Sequence, residues 1–482
     1  MIDHDIAYDA LISHDPRFDG IFFIGVTSTK IYCRPICPAK TPMRKNCRFF
    51  DTAAAAEKDG FRPCLRCRPE LAPGTAPVDN AQRIAHLLVH RIEEEPLGDG
   101  VDLETIAGEF ELSSRQLRRI VQKELGVSPI ELLQTRRLLL AKQLLTETRL
   151  PVIEIAFASG FSSLRRFNDA FGKSYKMPPS RLRKAAANHE TIDTSNASTL
   201  RLSYRPPYDW NAMLEFLAAR RIKDVEHITE NYYARTVRLG SHTGWIKVTH
   251  APEKRGLTVE FTHSLAPALP TLLGRLRDLF DLAARPDVVA RHLQKDKRLK
   301  PGIQKKPGLR VPGAFDGFEM AVRAILGQQI TVKAATTIAC RFAEAFGEKI
   351  HTPFADLSRL SPLPERVAKA TVNDIARLGI ISARAKSIIA LAKAYAAGEL
   401  RLEPGLHPEK IIKQLVMLPG VGQWTAHYIA MRALRWPDAF PKEDIAVRNN
   451  LGHVTARQAE ELSQAWRPWR SYAVMHIWKS RC

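Results

Sequence analysis

Two short pairs of cysteines near the N-terminus carry the clearest chemistry in the sequence. Cys33 and Cys37 are separated by three residues, Cys64 and Cys67 by two, and the pairs by 26 residues. Two such pairs, brought together from separate loops, supply the four thiolates of a tetrahedral zinc site. We therefore predict one Zn²⁺ bound by these four cysteines, with unliganded thiols as the alternative. Cys47, between the pairs, is interpreted as a small buried residue.

The composition indicates where such a site acts. The 482 residues include 72 Lys and Arg against 51 Asp and Glu, a formal charge of +21 that is typical of proteins binding DNA or RNA. No apolar run approaches the roughly 18 residues of a membrane helix, and "MIDHDIAYDA" lacks the basic-then-apolar order of a signal peptide. We expect a cytoplasmic, nucleoid-associated bacterial protein of three or four domains that contacts no membrane. Reducing conditions then favour metal ligands over disulfides.

The residues around the cysteines add a resemblance. "TSTKIYCRPIC" and "FRPCLRC" resemble the N-terminal zinc domain of Ada-type alkylation-response regulators, which we place at residues 1–77. The resemblance implies that Cys33 accepts a methyl group from a DNA methyl phosphotriester, a reaction that needs the thiolate that zinc maintains. It also implies that Thr29, Arg62 and Arg66 lie against the DNA backbone. A purely structural zinc site is the alternative.

A Pro/Gly/Ala-rich linker leads to residues 81–185, which carry helical periodicity. In "DLETIAGEFELSSRQLRRIVQKEL" the apolar positions form two short groups, and Ser113 or Ser114 is available to cap the second helix. The members are Leu103, Ile106, Ala107 and Phe110, then Leu117, Ile120 and Val121. "PVIEIAFASGFSSLRRFNDAFGKSY" repeats the pattern about 50 residues later.

Two helix-turn-helix units joined by a long helix, "ELLQTRRLLLAKQLL", resemble the AraC-type DNA-binding domain. Residues at the starts of the recognition helices are suited to contact the major groove. They are Arg115, Gln116, Arg118 and Arg119 in the first unit, and Ser163, Arg165 and Arg166 in the second. Asp169 departs from the family, where a basic residue is frequent. A helical bundle without DNA contact is the alternative.

After a polar linker at residues 186–198, the pattern changes. "YYARTVRLGSHTGWIKVTH" and "RGLTVEFTH" alternate as strands do, and helical segments flank them, which predicts an α+β subdomain at 199–310. Residues 311–482 show only helical patterns. The predicted fold class is therefore multidomain and mainly α with a smaller α+β part.

A tight turn within the last third has the geometry to bind a phosphate. "IIKQLVMLPGVGQWTAHYIAMRALRW" predicts a helix-hairpin-helix in which Gly420 and Gly422 expose backbone N–H groups to a DNA phosphate. The hairpin is also a candidate site for a monovalent cation. About twenty residues later, in "DAFPKEDIAVRN", Asp444 precedes an apolar helix, an order that resembles the helix-hairpin-helix DNA glycosylases.

Segments across residues 200–482, including "PPYDWNAMLEFLAAR", "FEMAVRAILGQQITVKAA" and "WRPWRSYAVMHIW", resemble AlkA-type DNA-3-methyladenine glycosylase II. The resemblance implies that Asp444 is the catalytic aspartate, which stabilises the oxocarbenium-like sugar and orients water. The implied base pocket comprises Trp424, Tyr428, Trp478 and Gln328, where aromatic walls favour cationic alkylated purines. Gln329 stands where the family has a leucine wedge that enters the DNA stack.

Several residue types that related enzymes use do not occur where those enzymes have them. Trp424 lies in the first turn after the hairpin, where glycosylases with lyase activity carry a Schiff-base lysine. Only Cys340 and Cys482 lie in the glycosylase half, so no Fe–S cluster is expected. The Pro-Cys-His-Arg active site of the Ada-type C-terminal methyltransferase does not occur, so direct repair of O6-methylguanine is not expected. The sequence predicts a monofunctional glycosylase fused to an alkylation-sensing transcription activator that binds double-stranded DNA and contacts RNA polymerase. The alternative is a regulator whose weak glycosylase half serves DNA binding.

Overall fold

A computed structural model of the chain describes residues 4–73, 103–109, 112–186 and 197–480. These residues are mainly helical with a smaller strand-containing part, which confirms the predicted fold class. They fall into two compact units. The first is drawn from Met1–Pro206, Ala251–Gly274 and Leu282–Ala284, and the second from Pro207–His250, Arg275–Asp281 and Arg285–Cys482. Among the helices described, none combines the length and the apolar character needed to cross a membrane.

The N-terminal part of the first unit is a four-stranded sheet with two helices. Its elements are α1 (His4–Ile12), β1 (Phe23–Val26), β2 (Ile31–Cys33), β3 (Cys47–Phe50), α2 (Ala53–Lys58) and β4 (Arg62–Pro63). The strand order is β3-β1-β2-β4, and β2 and β4 run parallel with Tyr32 opposite Pro63. Because Cys33 ends β2 and Cys64 follows β4, this pairing brings one cysteine of each pair close to the other.

The helical part of the first unit follows. It contains α3 (Leu103–Glu109), α4 (Ser114–Leu125), α5 (Pro129–Glu147), α6 (Val152–Ala158), α7 (Leu164–Tyr175) and α8 (Pro179–Ala186). Ser113 is the predicted cap of α4: its hydroxyl accepts from the Gln116 N–H, and the Gln116 side chain returns a bond to the Ser113 N–H. Phe110, predicted as an apolar position of the preceding helix, lies outside the described residues.

The predicted α+β region contains five strands among its described elements. They are β5 (Ala197–Ser203), α9 (Trp210–Ala218), β6 (Glu226–Ile228), β7 (Tyr232–Leu239), β8 (His242–Ala251), β9 (Gly256–Thr262), α10 (Leu269–Leu279), α11 (Pro286–Leu293) and α12 (Lys300–Lys305). In the first unit β5 and β9 pair antiparallel, with Leu200 opposite Val259. In the second unit β7 pairs antiparallel with both β6 and β8.

The rest of the second unit is helical over its described residues. Its helices are α13 (Gly317–Leu326), α14 (Val332–Phe346), α15 (Pro364–Ala368), α16 (Val372–Ala376), α17 (Ser382–Ala396), α18 (Pro408–Val416), α19 (Gln423–Arg432), α20 (Ile445–Asn450), α21 (Ala456–Ser463) and α22 (Arg470–Lys479). Helices α18 and α19 form the predicted helical hairpin. Buried apolar faces of α13 and α19 place this hairpin on the core of the unit.

Candidate metal centre and candidate active site

The four predicted zinc ligands meet in the first unit. Their Sγ atoms all lie within 4.8 Å of one another. Four sulfurs at about 2.3 Å from one Zn²⁺ are about 3.8 Å apart in a tetrahedron, so both the dimensions and the donor set fit zinc. The backbone N–H groups of Arg34 and Arg66 approach the sulfurs of Cys67 and Cys64, each at 3.3 Å, and such bonds favour the thiolate. Cys47 is half-buried and lies outside the group.

A buried ion pair holds the loop of the first cysteine pair in place. The Arg34 guanidinium donates from Nε to Oδ1 of Asp19 at 2.8 Å, donates to Oδ2 as well, and donates from Nη1 to the Cys67 carbonyl at 3.0 Å. Both charged residues are almost fully buried. A buried pair that satisfies its hydrogen bonds in this way fixes the geometry around it, because removing either partner strands the other charge. Sequence reasoning missed this pair since Asp19 lies 15 residues from Arg34 and outside any pattern.

Helix α5 of the helix-turn-helix region contacts the cysteine domain through polar groups. The buried Lys142 ammonium donates to the Cys64 carbonyl at 2.9 Å and forms an ion pair with Glu70 at 2.6 Å. Between α2 and α5, the Glu57 carboxylate accepts from the Thr135 hydroxyl at 2.8 Å, and it also accepts from the Tyr32 hydroxyl of β2 at 2.9 Å. These contacts join the loop of Cys64 and Cys67 directly to the helix that connects the two helix-turn-helix units, and no local sequence pattern indicated them.

The predicted DNA contacts of the first unit are mostly at the surface. Thr29 is exposed in the turn between β1 and β2, Arg66 is exposed between Cys64 and Cys67, and Arg62 is half-buried on β4. The exposed residues of the recognition-helix candidates are Arg115, Gln116, Arg118 and Arg119 on α4, and Arg165 and Arg166 on α7. Ser163 caps α7, its hydroxyl accepting from the Arg166 N–H at 3.2 Å, and Asp169 is exposed on the same helix.

In the second unit, Asp444 is held by three hydrogen-bond donors. It is the N-cap of α20, and its Oδ1 accepts from the Val447 N–H at 2.9 Å. Oδ1 also accepts from the Trp478 indole N–H at 3.1 Å, and Oδ2 accepts from the Trp424 indole N–H at 3.0 Å. The loop before α20 supplies the carboxylate, while α19 and α22 supply the indoles. Neutral donors therefore orient the carboxylate without cancelling its charge.

The indoles belong to a cluster of four aromatic rings. Trp424 and Tyr428, one turn apart on α19, are stacked with centroids 5.4 Å apart and planes 6° from parallel. Trp478 lies 6.3 Å from Tyr428 and is stacked on Phe216 of α9 at 6.4 Å. The structure thus brings together the three aromatic residues predicted for the base pocket. The structure adds Phe216, a residue of the segment "PPYDWNAMLEFLAAR" that was not among the predicted pocket residues.

Two arginines lie against this cluster. The Arg432 guanidinium carbon is 4.7 Å from the Phe216 centroid, and that of Arg220 is 3.8 Å from it. Arg432 is buried and donates from Nη1 to the Tyr428 hydroxyl at 3.0 Å. Burial by itself raises the pKa of Tyr428, but the charges of Arg432 and Arg220 outweigh it and lower the pKa below its usual value. The sequence did not indicate this contact, because Arg432 lies in an apolar helical segment and Arg220 lies in the turn after α9, beside Arg221.

The hairpin has the backbone that its sequence predicts. Gly420 adopts φ of 73°, and a Cβ there would meet the Ser387 hydroxyl, so both the conformation and the close approach favour glycine. Gly422 is the N-cap of α19 and provides no capping side chain. Since Gly422 is exposed, the first N–H groups of α19 are available to an anion.

Gln328 and Gln329 lie in the turn between α13 and α14. The Gln328 amide donates to the Gly420 carbonyl and to the Thr425 hydroxyl, each at 2.9 Å, so this residue, predicted for the base pocket, braces the hairpin. Gln329, at the position of the family's wedge, is exposed with a positive φ of 54°. A left-handed conformation is uncommon at a non-glycine residue.

Four family descriptions match successive parts of the chain. "Metal binding domain of Ada" matches residues 7–70, and "Helix-turn-helix domain" matches residues 106–185. "AlkA N-terminal domain" matches residues 199–316, and "HhH-GPD superfamily base excision DNA repair protein" matches residues 322–470. The order is the one that the sequence resemblances predicted, which confirms them.

Known proteins match at full length and over the C-terminal part. The "Probable bifunctional transcriptional activator/DNA repair enzyme AlkA" of Mycobacterium tuberculosis is 38% identical over 485 residues, covering 99% of this chain and 96% of that protein. The "DNA-3-methyladenine glycosylase 2" of Escherichia coli K12 is 36% identical over 277 residues, covering 58% of this chain and 95% of that protein. The solved "3-methyladenine dna-glycosylase from Archaeoglobus fulgidus" covers 58% of this chain and 96% of its own, with a TM-score of 0.51. At 20% identity it shows the fold alone.

Proposed function

Because this chain belongs to the family of bifunctional transcriptional activators and DNA repair enzymes of the AlkA type, we propose that it excises alkylated purines from DNA and reports alkylation to transcription. The substrates of the first activity are 3-methyladenine, 7-methylguanine and related bases. The observation that supports it most directly is Asp444, ionisable and oriented by two indoles of an aromatic cluster. A carboxylate beside stacked rings suits a reaction in which a flat base leaves a sugar that becomes positively charged.

In this reaction the aromatic cluster holds a flipped base, and methylation at N3 or N7 gives that base a positive charge which stacking on indole favours. The C1′–N bond breaks with its electron pair going to the base, and the Asp444 carboxylate stabilises the oxocarbenium-like sugar. Water adds to C1′ and loses a proton. The hairpin N–H groups beyond Gly422 bind a DNA phosphate, and a monovalent cation at the hairpin would serve the same contact.

The first turn of α19 contains Gln423, Trp424 and Thr425 and no lysine. A Schiff-base route to strand cleavage needs a lysine amine at this place. The proposed enzyme is therefore monofunctional and leaves an abasic site.

The second activity is a single methyl transfer to Cys33. Its sulfur attacks the methyl carbon of a methyl phosphotriester, the C–O bond breaks, and the products are a thioether and a phosphodiester anion. Zinc held by the four cysteines would keep the sulfur as a thiolate at neutral pH. With zinc bound, four thiolates would give the site a net charge of about −2; methylation of Cys33 removes one negative charge, and the repulsion from DNA phosphates falls.

The charge change links sensing to promoter binding. One unit of charge a few ångströms from a phosphate, partly screened, is worth about 1–2 kcal/mol, or about tenfold in affinity. The helix-turn-helix units then occupy a promoter, where contact with RNA polymerase activates transcription. Since the partner is chromosomal DNA, we place the protein in the cytoplasm at the nucleoid.

Two assays test these proposals. The intact, zinc-loaded chain is expected to release 3-methyladenine from methylated duplex DNA and to leave the strand uncut; incision without added nuclease would exclude a monofunctional enzyme. No base release would instead favour a regulator that uses its glycosylase half to bind DNA. For sensing, protein treated with methylated DNA is expected to carry one methyl on Cys33 by peptide mass spectrometry and to bind promoter DNA about tenfold more tightly. A methyl on another cysteine, or unchanged affinity, would leave the zinc centre a structural role.

A further inference from the structure

Arg432 is a buried cation for which the described residues provide no carboxylate. Its three nitrogens each donate one hydrogen bond, Nε to the Pro312 carbonyl, Nη2 to the Gly313 carbonyl and Nη1 to the Tyr428 hydroxyl. Ion pairs between arginines and acids are frequent elsewhere in the second unit, for example Arg435 with Asp278 and Asp281. A buried charge without a counter-charge is costly, and the Arg432 guanidinium bears this cost beside the aromatic cluster.

The Arg432 guanidinium is linked to the aromatic cluster by a hydrogen bond to the Tyr428 hydroxyl. A phenol has two lone pairs and one proton, and its oxygen here accepts from Arg432 at 3.0 Å. Among the hydrogen bonds of the described residues, none has the Tyr428 hydroxyl as its donor. The proton is thus free for an acceptor on a base bound at Trp424, Tyr428 and Trp478. Because the arginines lower the pKa of Tyr428, its O–H is a stronger donor than an ordinary phenol.

The chemistry of base release decides which substrates such a donor helps. When a neutral purine leaves, the C1′–N9 electron pair makes it an anion; water adds to C1′, and one proton of that water ends on the base. When an N3- or N7-methylated purine leaves, the same electron pair neutralises a cation, and the water proton goes to solvent. Only the neutral purine develops negative charge, so only its transition state gains from a hydrogen bond backed by a cation.

We propose that Tyr428, with Arg432 behind it, is a specificity-determining residue that donates to the departing base and extends excision to neutral purines bearing a carbonyl oxygen, such as hypoxanthine. This inference rests on the proposed glycosylase function. Arg432 acts through Tyr428 and is a positioning residue. The carbonyl oxygen accepts the Tyr428 proton and carries part of the negative charge that develops on the ring.

The test compares two lesions in one duplex sequence, hypoxanthine and the cationic 7-methylguanine, by single-turnover excision with the intact zinc-loaded chain. Tyr428→Phe keeps the ring and removes the donor. Since a hydrogen bond to a charged group is worth at least about tenfold in rate, hypoxanthine excision is expected to fall about 10- to 100-fold more than 7-methylguanine excision does. Arg432→Gln, which keeps amide donors and removes the charge, is expected to show the same selective loss.

Tyr472→Phe is the matched control. It removes another buried hydroxyl of the second unit, one that donates to Asp281 at 2.8 Å, and it is expected to alter both rates equally or not at all. Equal losses on both lesions in Tyr428→Phe would overturn the inference and leave a packing role for the hydroxyl. It would also be overturned if the unaltered chain released 7-methylguanine and no hypoxanthine. Release of neither base by the unaltered chain would refute the proposed function itself.

Discussion

Replacing Asp444 by asparagine separates the charge of the carboxylate from its shape. Asparagine is as good an N-cap as aspartate, and its amide oxygen can accept from the Val447 N–H and the Trp478 indole as Oδ1 does. Its NH₂ group then faces the Trp424 indole N–H, which at present donates to Oδ2 at 3.0 Å. The substitution therefore removes one negative charge and one hydrogen bond and keeps the helix start.

The expected loss follows from the charge. A unit charge about 4 Å from the sugar cation, at an effective dielectric constant of about 20, contributes about 4 kcal/mol. That corresponds to roughly a thousandfold in the rate of base release, since each 1.4 kcal/mol is tenfold. The stranded indole donor costs stability, about 1–3 kcal/mol, and affects folding rather than the chemical step. DNA affinity is expected to stay within about threefold, because the charge acts mainly on the transition state.

The assay is single-turnover release of 3-methyladenine, with binding to an abasic-site duplex measured in parallel. Glu443→Gln is the matched control: it removes a carboxylate charge from the preceding residue, which bonds neither indole, and should leave release within about threefold. If the folded Asp444→Asn variant excised the base at the unaltered rate, the assignment of Asp444 as the catalytic carboxylate would be wrong. Similar losses in both variants would show that the general electrostatic field, not the held carboxylate, is responsible.

Two further outcomes are expected. Trp478→Ala should slow release of cationic 3-methyladenine about tenfold more than release of neutral hypoxanthine, because only the cation gains about 1–2 kcal/mol from the indole face; equal slowing would indicate shape filling. Burial raises the pKa of Glu57 to about 7, against hydrogen bonds from Thr135 and Tyr32 that lower it. Since the folded pKa exceeds the unfolded one near 4.5, stability is lost as pH rises from about 4.5 to 7. Glu57→Gln should remove that loss in denaturant unfolding of zinc-saturated protein, by no more than about 3 kcal/mol at pH 8 because Glu57 is half-buried.

Features carried by short sequence patterns were predictable. Cysteine spacing indicated a four-sulfur group, and those sulfurs meet within 4.8 Å. A serine before an amphipathic run predicted the cap of α4, and Ser113 is that cap. The hairpin glycines were predictable because a sharp turn needs φ values that other residues avoid, as Gly420 shows with φ of 73°. In each case the physical constraint is local, and the residue type follows directly from it.

Features created by tertiary contact were not predictable. Lys142 and Glu70 are 72 residues apart, and nothing in the 19-residue helix that joins the two helix-turn-helix units indicates that one lysine points at a cysteine loop. Arg432 and Phe216 belong to different helices more than 200 residues apart, and their 4.7 Å contact exists only in the folded chain. Periodicity assigns such residues to a buried face, but it does not show which partner lies opposite.

In the proposed mechanism, the donors around Asp444 allow one carboxylate to serve both structure and chemistry. A lysine or arginine in the place of Trp424 or Trp478 would orient the carboxylate equally well, but an ion pair would cancel most of the field at the sugar. The indole N–H groups, at 3.0 and 3.1 Å, are neutral and fix the carboxylate while leaving its charge intact. One face of each indole is covered, that of Trp424 by Tyr428 and that of Trp478 by Phe216, and both residues are partly exposed. In the proposed mechanism each tryptophan holds Asp444 by the edge of its indole and offers its remaining ring surface to a base, which couples correct placement of Asp444 to an intact aromatic cluster.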